Sequence, residues 1–329
     1  MDTATHFVMG LSLAGLAYVD PVVAASPTLA VAVLIGTVIG SQAPDFDGIL
    51  RLKSNALYVK NHRGITHSLP FLIIWTALIS ALLALLFQGA PPGHLVLWTG
   101  IAVCVHVFSD LFNTYGTQAF RPFTEKWISW NIIHIFDPFI FSTHAVAVLL
   151  WSTGLVKPAP LFATLYVLTA FYYVWRTAAH GLKTAEVKHK DPNAQPGHHY
   201  YVIPTISFRK WHIVKALPDG SYDIGVMNNH VLEWRKHEVS TQHPAVEHSK
   251  LHPDVKAFLY FTSFAVAEVE HLSWGYIVRW ADVRYRHRRQ YPFVAVIVMD
   301  KQFQTINNYV GWLSHKKMEE RLSIHTETR

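Results

Sequence analysis

Ser41-Gln-Ala-Pro-Asp-Phe-Asp-Gly48, a short basic segment, and then Asn61-His-Arg-Gly-Ile-Thr-His-Ser68 form the stretch on which the reading of this chain turns. Two carboxylates, Asp45 and Asp47, and two imidazoles, His62 and His67, fall within 23 residues, between two apolar runs. On the fourth apolar run His106 and Asp110 stand at i and i+4, on one face of a helix. His6, near the amino end, is the outlying member. Asp and His are the ligand types that suit zinc, manganese or iron. A helical membrane domain with a metal site where its helices end follows as the expectation.

Outward from that stretch the chain is apolar. Phe7–Val19 and Thr28–Gly40 are short of the roughly 20 residues that cross a bilayer. They would pack closely as a hairpin through Gly10, Gly15, Gly36 and Gly40. Leu69–Phe87 holds 19 residues without a charge, and Leu95–Phe112 is interrupted only by His106 and Asp110. Phe139–Val156 and Leu161–Trp175 complete about six helices, some short, with Trp and Tyr near their ends as in an interfacial belt.

Basic residues set the topology. Arg51, Lys53, Lys60 and Arg63, then Arg121 and Lys126, then Arg176, Lys183, Lys188 and Lys190 lie on one side; the opposite loops hold little besides Asp20 and Lys157. By the positive-inside rule the protein is a multi-pass inner-membrane protein with both termini cytoplasmic. On that topology His6, Asp45, Asp47, His62, His67, His106 and Asp110 all reach the cytoplasmic face, and Asp137, opening the fifth run, joins them.

Only 15% of the 329 residues are charged, against about 25% in ordinary domains, and most of the Lys, Arg and Glu lie beyond residue 180. The predicted division is a membrane domain over 1–180, a linker over 181–196, a smaller β-rich (α+β) soluble domain over 197–310 and a polar tail over 311–329, helical at first and then frayed. Tyr200–Ile206, Phe208–Ala216, Tyr222–Val226, Tyr276–Val283 and Phe293–Met299 read as strands, with a hairpin turn at Leu217-Pro-Asp-Gly-Ser221. Asp254–Phe264 fits helix or strand, and 227–253 reads as loop or short helix.

A net charge of +6 comes without a basic stripe interleaved with aromatics, so no nucleic-acid partner is expected. Basic residues beside spans are topology signals, and the partner is membrane lipid. The single cysteine, Cys104, forms no intrachain disulfide and reads as a small buried hydrophobe. The amino terminus lacks a signal peptide's basic region and cleavage site, so the first run is expected to stay in the mature protein.

The chemistry asks for this mixture. A divalent ion, Zn or Mn, needs three or more N/O ligands and an open position for water, whose pKa it lowers to around 7. Seven candidates exceed one tetrahedral site. Either two ions are held, or some members orient the imidazoles that bind one. Arg63 is placed to hold an anionic substrate group, Asn113 and Asp137 to support the site, and Thr66 and Ser68 to donate hydrogen bonds or cap the next helix.

Pro44-Asp-Phe-Asp47, His62-Arg-Gly-Ile-Thr-His-Ser68 and His106-Val-Phe-Ser-Asp110-Leu-Phe-Asn113-Thr-Tyr-Gly116 together resemble the bacterial membrane-bound metal-dependent hydrolases of the YdjM/YfhP-like, LexA-regulated type. The motifs occur in the family's order over roughly residues 3–140, with the family's early His falling on His6. Ile135-Phe-Asp-Pro138 and Asp282-Val-Arg284 resemble the YfhP-like branch. The chain departs at Gly48, where many relatives carry His. The resemblance implies a metal-dependent hydrolase of a small-molecule or lipid ester or phosphoester, with one or two ions per chain. Two other readings stay open. One is a metal-ion binding or transport protein with Asp110 and His106 on the ion path. The other is a non-catalytic anchor whose soluble domain, rich in His, meets a partner.

Overall fold

Proline preceded by a short polar side chain starts three helices of the amino-terminal half, those opening at Pro21, Pro27 and Pro138. Asp2 caps α1 (Thr3–Leu16) by accepting from the Thr5 amide. Asp20 and Ser26 cap α2 (Pro21–Ala25) and α3 (Pro27–Gly40), each with proline in its first turn. A 3₁₀ helix (Ala43–Leu52) then leads to α4 (Asn55–Asn61), and a second (Ile65–His67) to α5 (Leu69–Leu86). The helices α6 (Pro92–Leu111), α7 (Pro138–Ser152) and α8 (Pro158–Lys190) follow. The computed structural model describes residues 1–285 and 290–313.

The chain divides into two compact units. The first comprises Met1–Asp47, Arg63–Lys183 and Pro204–Phe208. In it α3 packs on α1, α5 and α6, and α1 also on α7. The first two runs do pack together, but of the four glycines only Gly10 serves that pairing, where a methyl group would overlap Ser41; Gly15 meets the ring of fully buried Phe162 on α8, and Gly36 and Gly40 meet Thr99 on α6. Leu29, Val33, Leu83, Leu95 and Trp98 fill one core cluster of the bundle.

Among the described residues two helices are long and apolar enough to cross a membrane, α5 and α6. They become three if α3 and the 3₁₀ helix after it make one bent span. Thr3–Val19 and Pro138–Ser152 are apolar but shorter.

The second unit comprises Gly48–His62, Thr184–Ile203 and the chain from Arg209 onward. Strands β1 (His199–Pro204), β2 (Lys210–Ala216), β3 (Tyr222–Asn228) and β4 (Val231–Glu238) form one sheet in sequence order. After α9 (Pro244–Ser249) and α10 (Pro253–Phe261), strands β5 (Ala265–Leu272), β6 (Gly275–Asp282), β7 (Phe293–Asp300) and β8 (Thr305–Trp312) form another. Val214 and Ile224 of the first sheet share one core with Val266, Ile277, Val294, Val296 and Val298 of the second. The other face of the first sheet, Trp211, Ile213 and Met227, takes Val187 from the end of α8. The other face of the second takes α9 and α10, with Phe258 stacked on Phe293. Buried on both faces, β7 reads as an uninterrupted apolar run.

Three expectations change. Residues 181–190, expected as linker, continue α8, because Ala, Leu, Lys and Glu favour helix and Val187 is fully buried. Within 227–253 lie a strand, β4, as well as the short helix α9. Its polar residues sit on an exposed sheet edge, which hides the period of two. Asp254–Phe264 resolves as helix through Phe261, and β5 and β8 are strands that no sequence signal marked. The expected polar tail lies outside the described residues from position 314.

Candidate metal centre

Four side chains from three elements face one another. The 3₁₀ helix after α3 contributes Asp45, the 3₁₀ turn before α5 contributes His67, and the last turns of α6 contribute His106 and Asp110. One donor atom of each lies within 4.8 Å of the others. The His67 and His106 Nε2 atoms are 3.3 Å apart. Asp45 Oδ1 lies 3.5 and 3.7 Å from them, and Asp110 Oδ2 3.4 and 3.5 Å. A tetrahedron with metal–ligand bonds of about 2.1 Å has edges of about 3.4 Å. The five measured edges are those of such a tetrahedron.

Proton positions point the same way. His106 Nδ1 donates to the Ser41 carbonyl at 2.7 Å, which leaves Nε2 as a lone pair. Thr66 Oγ1 donates to Asp47 Oδ2 at 2.9 Å, and its oxygen then accepts from His67 Nδ1 at 3.1 Å. The His67 Nε2 lone pair is thereby turned on the same point. Burial, opposed by Asp45, pushes the His67 imidazole down to about 4, so it is neutral at pH 7. Asp45 Oδ1 and Asp110 Oδ2 are buried and receive no hydrogen bond. Four lone pairs converging without a proton between them repel, and a cation at their centre turns that repulsion into coordination. The two-nitrogen, two-oxygen set fits zinc or manganese.

The other expected residues surround this set. His6 stacks on His106, with ring centroids 3.7 Å apart, and sets Nε2 3.3 Å from Asp110 Oδ1. The Met1 amino group lies against the same oxygen. Asp47 Oδ2 accepts from the Arg63 amide at 3.0 Å as well as from Thr66. Arg63 itself is held at φ +58°, a left-handed conformation that side chains seldom adopt outside constrained sites. Its guanidinium is buried: Nη1 donates to Asn113 Oδ1, and Nη2 to the Met1 carbonyl at 2.8 Å and toward Asp110 Oδ1 at 3.2 Å. Asn113 links the loop after α6 to the centre, because Oδ1 accepts from the Tyr115 and Gly116 amides while Nδ2 donates to Asp110 Oδ1.

Two expected residues remain, His62 and Asp137. His62 belongs to the second unit, at the end of α4, with its ring stacked on Tyr58. Asp137 caps α7: Oδ1 accepts from the Phe139 and Ile140 amides, and Oδ2 from the Tyr172 hydroxyl. Both its oxygens are engaged away from the cluster, and the Asp-Pro dipeptide at 137–138 was the readable signal of that cap. The Ser41 and Met1 carbonyls, missed by sequence reading, are main-chain groups and leave no mark in side-chain patterns.

The model of the YdjM inner membrane protein family matches residues 1–182. The YfhP C-terminal alpha/beta plait domain matches residues 244–322. The chain is 39% identical over 330 residues to "Uncharacterized protein YfhP" of Bacillus subtilis (strain 168), spanning 98% of this chain and 99% of that one. No solved structure matches. With its triple Asp/His motif, its apolar helices and its carboxy-terminal sheets all in the family's order, the chain belongs to the YdjM inner membrane protein family, in its YfhP-like form.

Proposed function

We propose that this protein is an integral membrane metal-dependent hydrolase of an ester or phosphoester, working at the cytoplasmic face of a multi-pass domain with both termini inside. The observation that carries the reading is the near-tetrahedral set of Asp45, His67, His106 and Asp110, with two oxygens unsatisfied and both imidazoles turned lone pair inward. A divalent ion held there, zinc or manganese, would supply Lewis acidity and a water of lowered pKa.

The chain's own residues do the rest. Thr66 and the Ser41 carbonyl hold the two tautomers, and His6 and Asn113 hold Asp110. Buried Arg63 offsets the carboxylates, its guanidinium turned onto Asn113 and Asp110. Asp45 is the ligand on the open side, with 19% of its side chain exposed. Asp45 would thus be the ligand nearest an incoming substrate, on the side where a hydrolytic site must be reached. An ion path would call for ionisable groups along the helices; here most gather at helix ends, with buried His144 of α7 the main exception.

Elemental analysis of the purified protein tests this. We expect about one zinc or manganese per chain, lost in Asp110→Ala and His106→Ala, and hydrolysis within a panel of phosphoesters and carboxylic esters that disappears with the metal. Wild-type protein free of transition metal after purification without chelator would sink the reading.

A further inference from the structure

Three of the four facing side chains, His67, His106 and Asp110, are fully buried, so the centre opens only at Asp45. One flank of that opening is apolar. Phe46, the next residue, is 61% exposed. Its ring meets Trp75 edge-on at 6.0 Å, and Trp75 meets Phe71 edge-on at 6.1 Å. Trp75 Nε1 donates to the Thr66 carbonyl at 3.2 Å, which ties this row of rings to the segment carrying His67. Phe71, with Ile65, Pro70 and Pro122, then lines a cavity of about 290 Å³ together with Ser68, Arg121 and Glu125.

Phe71 and Trp75 stand at i and i+4 on α5, of which only 17% is buried; Ile73, Leu78, Leu82 and Leu85 are all more than half exposed. On a span of this length such a face meets acyl chains. The rings therefore run without interruption from the lipid-facing side of α5 to the open side of the centre. A water-soluble substrate gains nothing from exposed Phe46 and half-buried Phe71 there, whereas an acyl chain laid along them is worth about 25 cal/mol per Å² covered.

We propose that the substrate is a membrane lipid, which enters sideways from the bilayer along Phe71, Trp75 and Phe46 and presents its phosphoester or carboxylic ester beside Asp45. The chemistry of this proposal rests on the hydrolase reading; the lipid path does not. In the reaction the oxygen of water bonds to phosphorus or to the acyl carbon, the bond to the leaving oxygen breaks, and that oxygen keeps a proton from the water.

The full-length protein, purified in detergent and in vesicles of phosphatidylethanolamine and phosphatidylglycerol, provides the test, with Phe46→Ser and Phe71→Ser as variants whose metal content reports their folding. Two quantities are read by mass spectrometry: phospholipid retained through purification, and vesicle lipid cleaved relative to p-nitrophenyl phosphate and p-nitrophenyl butyrate. We expect retained phospholipid in the wild type, and a drop of about tenfold in both quantities in Phe71→Ser. Retention and cleavage ratio unchanged in both variants overturns the proposal. Cleavage of the soluble esters with no lipid bound or cleaved overturns the lipid path and leaves the hydrolase reading. Phe71-dependent lipid retention without cleavage of any ester does the reverse.

Discussion

His67 shows how much a single side chain depends on its neighbour. Its Nε2 is useful to a cation only because Nδ1 is spoken for by Thr66, which is itself fixed by donating to Asp47. Thr66→Val keeps the shape and removes both hydrogen bonds. We expect metal affinity to fall about 10–100-fold, the usual cost of losing a group that orients a ligand, measured by competition with a chromogenic chelator. An unchanged affinity would mean that Thr66 serves only the turn before α5. At this scale the sequence was informative where spacing itself is geometry. His106 and Asp110, one helical turn apart, needed no fold to be paired, and His67 and Asp45 followed from their place beside helix ends. The fate of Arg63 was not legible: the same residue reads as an anion clamp in a loop, yet a left-handed backbone turns its guanidinium inward onto Asn113 and Asp110. Asp137 illustrates the opposite case, a carboxylate near a helix start whose Oδ1 goes to amides of its own helix and whose Oδ2 goes to the Tyr172 hydroxyl.

Among elements, glycine lets the helices of the first unit approach closely at particular points. Gly15 faces the ring of Phe162, while Gly181, within α8, faces open space. Opposite effects of one substitution follow. Gly15→Ala is expected to lower stability by about 1–3 kcal/mol through overpacking, and Gly181→Ala to raise it by up to about 1 kcal/mol through helix propensity; thermal unfolding in detergent would show both. A harmless Gly15→Ala would mean that the α1–Phe162 contact yields easily. The apolar runs announced these helices because lipid-facing surface needs no alternation. Strands were harder. Doubly covered β7 was plain as a continuous apolar run, whereas β4, at a sheet edge with Glu233, Arg235 and Lys236 exposed, shows the composition of a loop. Its one clear signal was the turn before it, where Asn229 takes φ +50°.

For the whole molecule, composition changes near residue 180, close to where α8 passes from one unit to the other, but the second unit also draws on an earlier segment. Thr184–Ile203 belongs to that unit, and so does α4, which packs on α10 and β8. Within it Lys215, 2% exposed, is paired with fully buried Asp191 and with Asp223, beneath the ring of Trp234. Burial opposes ionisation of Asp191, but bonds from Tyr200 and Lys215 outweigh it and hold the carboxyl below its ordinary value. For Asp223, burial is likewise outweighed, by Lys215 and His237. Carboxyls with lowered folded-state pKa stabilise a fold above their unfolded value near 3.9, and that contribution disappears as the pH falls through the lower, folded one. Acid should therefore loosen β1–β3 first at the Lys215 cluster. Asp191→Asn removes one partner of a buried cation and is expected to cost about 3 kcal/mol at pH 7. It should also flatten the acid dependence, since one of the two titrating groups is gone. Hydrogen exchange of the β1–β3 peptides in the full-length protein, followed from pH 7 downward, reads both effects. Equal protection in wild type and variant at every pH would show that Lys215 is satisfied by Asp223 alone, and that α8 contributes its apolar contact through Val187 without the charge beyond it.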